Sequence, residues 1–183
     1  MDGASARSKL PPVPADLASR DIGIREEAPA DRPFLSRLYA SVRWEELAPT
    51  GWSASMRANF LAQQFELQDR HYKVHYAGAA FGIITERTVP IGRLYLHQGE
   101  ADLRIMDIAL MPTHRGLGIG GAFLQAVLQM GWAAGTAVSI HVEAFNHRAR
   151  ALYERLGFAE AAQVGLYHRL EWHPPAGQQR LVS

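Results

Sequence analysis

Residues 112–121 read PTHRGLGIGG, with glycine at four of the last six positions and an arginine just before them. Glycine has no Cβ, so such a run lets the backbone turn sharply and approach a ligand closely. Two spacings coexist in it. Gly116, Gly118 and Gly121 spell G-x-G-x-x-G, the pattern of dinucleotide-binding turns. Arg115, Gly118 and Gly120 spell R-x-x-G-x-G. With a strand before it and a helix after it, either spacing makes an anion site. The first turn of a helix offers unpaired N–H groups and the positive end of the helix dipole. Arg115 adds a charge-assisted donor for a phosphate oxygen. The plainer alternative is a tight turn that packs helix against sheet.

The flanks supply both elements. ADLRIMDIALMP (101–112) reads as a strand stopped by Pro112. GGAFLQAVLQMGWAAG (120–135) reads as an amphipathic helix with Phe123, Leu124, Val127 and Leu128 on its buried stripe and Gly135 at its C-terminal end. AVSIHVEAF (137–145) is the next strand. Asn146 suits the N-cap of the helix HRARALYERLG (147–157), where Ala149, Leu152, Tyr153 and Leu156 share a face and Gly157 ends the run. FAEAAQ and GLYHRLEW form a closing pair of strands. Upstream, DIGIRE (21–26) alternates like a first strand, and PADRPFLSRLYASVRWEEL (29–47) places Phe34, Leu35, Leu38 and Val42 at helical spacing. APTGW breaks that helix. Ser53 then caps a longer one carrying Met56, Phe60, Leu61, Phe65 and Leu67. AFGIITER and VPIGRLYLHQG suggest a hairpin, with Gly92 marking a bulge. The order is β-α-α-β-β-β-α-β-α-β-β. One mixed sheet with helices on both faces accounts for it, which places the chain in the α/β (mixed α+β) class.

The bulk numbers narrow the partners. The 183 residues suit one domain with a sizeable core, and 48% hydrophobic with 20% charged residues is ordinary for a globular protein. A formal net charge of +1 gives no electrostatic reason to expect nucleic acid or an anionic membrane as partner. No apolar run approaches the roughly 20 residues of a membrane span. Cysteine is absent, which removes disulfides, thiolate metal sites and a cysteine nucleophile. This fits a reducing compartment, and a cytoplasmic location is expected. The scattered histidines form no H-x-x-x-H pair, so no metal site is expected. Residues 1–20, rich in Ala, Ser and Pro, read as a flexible leader, 21–172 as the domain, and 173–183 as a loose tail.

The dinucleotide reading is tested by its context. It expects an acidic residue about 20 positions past the glycines, and Glu143 ends the next strand. Three features oppose it. PTHR intervenes between strand and glycines. About 90 structured residues precede the unit, and only some 40 follow, too few to complete a doubly wound sheet. A P-loop is excluded because no Gly-Lys-Ser/Thr follows the glycines.

The segments DIALMPTHRGLGIGGAFL and VEAFNHRARALYERLGF, in this order, give residues 105–158 a specific likeness. The stretch resembles the GNAT superfamily of acyl-CoA-dependent N-acyltransferases. The resemblance implies a single, mostly antiparallel mixed sheet whose central strands splay apart, and an N-acetyltransferase that moves an acetyl or short acyl group from acetyl-CoA to a primary amine. It implies that Ile108, Ala109 and Leu110 lend free backbone groups to the pantetheine arm as an added strand would. Residues Arg115, Gly116, Leu117, Gly118, Ile119 and Gly120 resemble the pyrophosphate loop. Asn146 resembles the residue that hydrogen-bonds the pantetheine, and Tyr153 the acid that protonates the departing thiolate. Members of the superfamily often form homodimers. A dinucleotide-dependent oxidoreductase and a non-catalytic acyl-CoA sensor remain as alternatives.

Several residues carry open readings. Tyr153 lies on the apolar stripe of its helix, so a core tyrosine is its ordinary role. Asn146 serves equally as an N-cap. Asp107, between Met106 and Ile108 in an apolar strand, needs a partner or a raised pKa; it is a base for the amine or a structural acceptor. His141 shares strand parity with Ser139 and Glu143 and has an ordinary pKa that suits a base. An acceptor pocket walled by RWEELAPTGW and GLYHRLEW offers Trp44, Trp52, Tyr167 and Trp172 as aromatic walls, with Glu45 or Glu46 attracting a cationic amine. The acceptor itself, a small-molecule amine or a protein amine, is left open.

Overall fold

Alternating apolar residues and well-placed turn residues fold the chain into strands and helices over residues 8–175, the part that the computed structural model describes. In chain order these are α1 (Ala15–Ala18), β1 (Ile22–Glu26), α2 (Arg32–Arg43), α3 (Ala54–His75), β2 (Ala80–Glu86), β3 (Val89–Gln98), β4 (Asp102–Leu110), α4 (Ile119–Ala134), β5 (Ala137–Glu143), α5 (His147–Arg155), β6 (Ala159–Val164) and β7 (Tyr167–Trp172). The strands form one sheet in the order β1-β2-β3-β4-β5-β7-β6. Every neighbouring pair is antiparallel except β4 and β5, which α4 joins as a parallel crossover. This is the mixed α/β sheet expected from the order of elements, with α1 as the one addition.

Each face of the sheet carries its own core. On one face Leu94, Leu96, Leu103, Ile105, Val138 and Ile140 meet Phe123, Leu124 and Val127 of α4 and Tyr153 of α5. On the other face Ile83 and Tyr95 meet Leu35 and Leu38 of α2 and Leu61 and Phe65 of α3. The predicted stripe of α4 is buried, as is that of α2 except for the exposed Val42; in α5 Tyr153 is buried and Ala149, Leu152 and Leu156 pack half-buried against the core, whereas Met56 and Leu67 of α3 face outward. The N-cap assignments hold locally: Ser53 Oγ accepts from Met56 N at 3.3 Å, and Asn146 Oδ1 accepts from Ala149 N at 3.1 Å.

The leader expected over residues 1–20 needs correction from Ser8 onward. Ser8 N donates to Gly78 O at 2.8 Å, and Ser8 Oγ accepts from Gln98 N at 2.8 Å. Leu17 of α1 is fully buried, with Leu10 and Val13 packed against the same core. Composition alone missed this because a few apolar residues among prolines suffice to dock a segment when the sheet has an open apolar face. Residues 1–7 of the leader and 176–183 of the tail lie outside the described residues.

Two irregularities in the middle of the sheet shape the site. The parallel pairing of β4 with β5 runs only from Asp102↔Ala137 to Ile105↔Ile140, so the two strands part after Ile105. On the other side of β4, Tyr95 faces Asp107 and Leu96 faces Ile105, which leaves Met106 as a bulge. A bulge turns two successive side chains toward one face. Met106 accordingly joins the α2/α3 core, and Asp107 meets Arg93 on that side, while Ile108 returns to the α4/α5 side. The bulge that Gly92 was expected to mark falls next to it, at Ile91, between the pairs Ile84↔Gly92 and Thr85↔Pro90. Gly92 serves a different need: a Cβ there would stand 2.5 Å from Ala109 O, so only glycine lets β3 lie this close to the splayed end of β4.

Candidate active site

A single cleft of about 1010 Å3 runs from the glycine loop, through the gap between β4 and β5, to the underside of α3. The sequence-predicted residues Asp107, Ile108, Ala109, Leu110, Arg115, Gly116, Gly118, Ile119, Gly120, His141, Asn146 and Tyr153 all line it. Leu117 does not: its side chain is exposed, and its carbonyl accepts from Arg20 Nη1 at 3.2 Å. Gly121 supports the helix rather than the loop, with its Cβ position 3.9 Å from Leu152 Cδ1.

The loop is built as an anion cradle. Pro112–His114 form a 3-10 turn, Arg115 is extended, and Gly118 caps α4 at φ +80°. Gly116 also has positive φ, at +78°. Alternating backbone conformations of this kind turn successive N–H groups into one concavity, at the positive end of α4. Arg115 Nε donates to Leu110 O at 2.8 Å, which fixes the side chain beneath the loop. Arg148, a residue sequence reasoning passed over, comes to the same place; its Nη2 lies 3.4 Å from the Cβ position of Gly116. Arg115 Nη2 also reaches Ser41 O and Oγ at 3.4 Å, and neither guanidinium pairs with a carboxylate among the described residues. Burial and the neighbouring Arg148 push the Arg115 pKa below its ordinary value. Two like charges brought near one another at an exposed loop are stabilised by an anion placed between them.

Beyond the loop, residues 106–110 of β4 have no strand partner on the β5 side, the open edge the pantetheine reading requires. Tyr153 faces this gap. It is 7% exposed, and its ring stands edge-on to Phe158 at 5.9 Å. Burial, reinforced by the negative charge of Asp107, raises its phenol pKa above the usual value, so the hydroxyl stays protonated.

Asp107 and His141 are in the cleft, but both are engaged. Asp107 Oδ2 accepts a hydrogen bond from Arg93 Nη2, and Arg93 also donates to Gln68 Oε1 at 2.9 Å. Arg93 is 4% exposed. Burial works against its charge, yet Asp107 together with Tyr95 and Tyr72 outweighs it and raises the guanidinium pKa. His141 Nδ1 lies 3.2 Å from Arg104 Nη2. A guanidinium only donates, so Nδ1 accepts and the neutral ring carries its proton on Nε2. Burial, then Arg104 and Arg169, lower the His141 pKa, partly offset by Asp102.

The expected acceptor walls are largely elsewhere. Trp52 packs edge-on against Phe60 at 5.3 Å, Trp44 lies beside Arg57 on the α2/α3 side, and Trp172 joins the α4/α5 core. Of the four aromatics proposed from sequence, only Tyr167 reaches the cleft. Glu45 and Glu46 do not line it, and Glu46 pairs with Arg43 at 3.5 Å. Glu143 accepts from Arg43 at 2.9 Å, an ion pair rather than a ribose contact. The actual walls are Tyr39 of α2, His71 and Tyr72 of α3, and Tyr76 at its C-cap. An i, i+4 spacing of Tyr72 and Tyr76 was legible in the sequence, but a cleft face and a core face have the same period.

Residues 40–158, well over half of the chain, match the sequence model of the Acetyltransferase (GNAT) family. The chain therefore belongs to this family and is an acyl-CoA-dependent N-acetyltransferase. Solved structures share the fold. The PaiA N-acetyltransferase of Thermoplasma acidophilum in complex with coenzyme A is 16% identical with a TM-score of 0.64, covering 83% of this chain and 98% of that one. An acetyltransferase from Thermus thermophilus is 17% identical, TM-score 0.58, covering 83% and 96%. A spermidine N-acetyltransferase SpeG chimera from Vibrio cholerae and hSSAT is 18% identical, TM-score 0.59, covering 84% and 95%. Among curated proteins, none matches the chain in sequence. The dinucleotide alternative falls with the topology, since a sheet with one parallel pair is not doubly wound.

Proposed function

We propose that the cleft transfers an acetyl or short acyl group from CoA to a primary amine by direct attack, with both substrates bound together. The observation that carries this is the uncompensated Arg115–Arg148 pair at the glycine turn, opening onto an unpaired strand edge that ends beside a buried, protonated tyrosine. The cradle binds the pyrophosphate, and the free edge of residues 106–110 holds the extended pantetheine arm by backbone hydrogen bonds. The carbonyl of the thioester then lies near Tyr153. We also propose a cytoplasmic location, which the cysteine-free composition supports.

The amine nitrogen attacks the carbonyl carbon, a C–N bond forms, the C–S bond breaks, and one proton leaves the nitrogen while one reaches the sulfur. Tyr153 donates that second proton to the thiolate as it departs. Its raised pKa keeps the hydroxyl as an acid across the working range. Asp107 is held by Arg93, so its part is to hold Arg93 and to keep Tyr153 protonated, rather than to take the amine's proton. His141 takes that proton only if its Nδ1 parts from Arg104. The surrounding guanidinium groups disfavour an ammonium ion in the cleft and so favour the neutral, nucleophilic amine.

The test is titration of the protein with acetyl-CoA and, separately, with NAD(H) and NADP(H), followed by mass spectrometry of amine mixtures incubated with acetyl-CoA. Acetyl-CoA binding that weakens about tenfold in Arg148→Ala, together with N-acetylated products, is the expected result. Binding of a dinucleotide alone overturns the ligand. Binding of acetyl-CoA without any N-acetylated product overturns the transfer.

A further inference from the structure

The end of the cleft farthest from the glycine loop is lined by Arg104, His141, His71, Tyr72 and Tyr76. Arg104 stands six strand positions before Leu110, roughly 20 Å along β4 from the loop. Its guanidinium is therefore out of reach of the phosphates that Arg115 and Arg148 serve. It forms no ion pair with any carboxylate among the described residues. Its contacts are the donation to His141 Nδ1 at 3.2 Å and the face of the Tyr76 ring, 5.7 Å from the guanidinium carbon. Both contacts orient the group, and neither neutralises it.

The acidic residues nearby are already committed. Asp107 is paired with Arg93, and Glu143 with Arg43 at 2.9 Å. Asp102, on the same strand as Arg104, is paired with Arg169 at 3.1 Å. Tyr167 Oη also reaches Glu143 Oε1, at 3.4 Å. A polycationic acceptor would thus bring a second ammonium group to a wall with no free carboxylate and one free guanidinium. An acceptor with its own anion meets the opposite situation. The planar fork of Arg104 offers paired donors to a carboxylate, and His141 Nε2–H is a further donor of the neutral ring.

We infer that the acceptor is an amino carboxylate, a primary amine whose carboxylate is held by Arg104 beside the aromatic wall of α3. This rests on the N-acetyltransferase reading of the same cleft. It assigns Arg104 as a binding and specificity residue, with Tyr76 and His141 positioning it.

The test uses α-amino acids paired with their carboxamides (leucine with leucinamide, phenylalanine with phenylalaninamide, glutamate with isoglutamine) and spermidine, each assayed with acetyl-CoA for N-acetyl product. The wild-type enzyme is expected to acetylate at least one free acid with a kcat/KM at or above that of its amide, although the amide has the less basic, more fully deprotonated amine. In Arg104→Gln the acid-to-amide ratio falls about 10- to 100-fold, the range of a lost charge-assisted pair, and Arg104→Lys keeps part of the preference. A purely structural Arg104 would instead lower the melting temperature and both kcat/KM values together, leaving the ratio unchanged, and that result overturns the assignment. Acetylation of spermidine or the amides with none of the acids accepted also overturns it. Failure of the underlying reading is seen separately, as the absence in the wild-type protein of acetyl-CoA binding or of any N-acetylated product from acids, amides and spermidine alike.

Discussion

Tyr153→Phe isolates one hydroxyl in the proposed chemistry. The ring is 7% exposed and packs edge-on to Phe158 at 5.9 Å, contacts that phenylalanine reproduces. Loss of the oxygen therefore costs on the order of 1 kcal/mol of stability or less. For a chain of this size that is a fall of about 2–4 °C in melting temperature. The catalytic loss is larger. A positioned general acid contributes about 10²- to 10⁴-fold, equivalent to about 3–5 kcal/mol of barrier. Burial and Asp107 raise the phenol pKa, so the acid form is intact throughout the accessible pH range and its loss is a loss of kcat at every pH tested. The assay is initial rate against acetyl-CoA concentration at saturating amine, with a calorimetric Kd for acetyl-CoA measured on the same preparation. The expected variant has kcat lowered at least about 100-fold, a Kd within about threefold of wild type and a nearly unchanged melting temperature. Unchanged kcat refutes the acid role. A large fall in melting temperature shows that Tyr153 acts through packing instead.

Three further outcomes follow from particular residues. Gly118 and Gly135 both have positive φ with open space around the Cβ position, so alanine at either costs about 1 kcal/mol of stability, but only Gly118→Ala weakens acetyl-CoA binding, by about tenfold; equal affinities in the two variants, by calorimetry, refute the cradle. The His141 pKa is lowered in the folded state, so below about pH 6.5 the unfolded chain takes up a proton that the folded chain resists, and stability falls as pH falls through that window. His141→Gln removes this contribution, and melting curves between pH 5 and 7.5 with the same slope for both proteins contradict it. Asp107→Asn leaves the buried Arg93 without its counter-charge and costs about 3 kcal/mol, so thermal unfolding shifts downward by about 6–12 °C; lost turnover with an unchanged melting temperature would instead restore Asp107 as the base.

Much of this was legible from sequence because it depends on local periodicity and turn chemistry. The strand, glycine turn and helix of residues 102–134 are encoded in consecutive residues, as are the caps at Ser53, Asn146 and Gly135. Those same residues set the backbone of the proposed phosphate cradle, since an αL glycine and a helix N-terminus are local features, whereas Arg148 joins it only in the folded chain. The two motif segments also carried the family.

Other features needed the chain to be folded. The bulge at Met106 aims Asp107 at Arg93, and no feature of the strand's own sequence shows that a residue 14 positions earlier supplies the counter-charge. Arg104 and His141 are 37 residues apart and meet only because β4 and β5 run parallel until Ile105. Of the tryptophans that sequence placed around the acceptor, Trp44 and Trp172 went to the cores and Trp52 packed on Phe60, and Tyr72 and Tyr76 took the wall instead. Ser8 to Arg20, read as leader, docked because the sheet offered an apolar face to Leu10, Val13 and Leu17. Sequence by itself therefore determined the family and the local strand, turn and helix of the proposed acyl-donor loop, through contacts made by neighbouring residues. The charges and rings proposed to meet the acceptor were decided by tertiary structure, because each is set by which strand or helix lies opposite and which carboxylates are already paired.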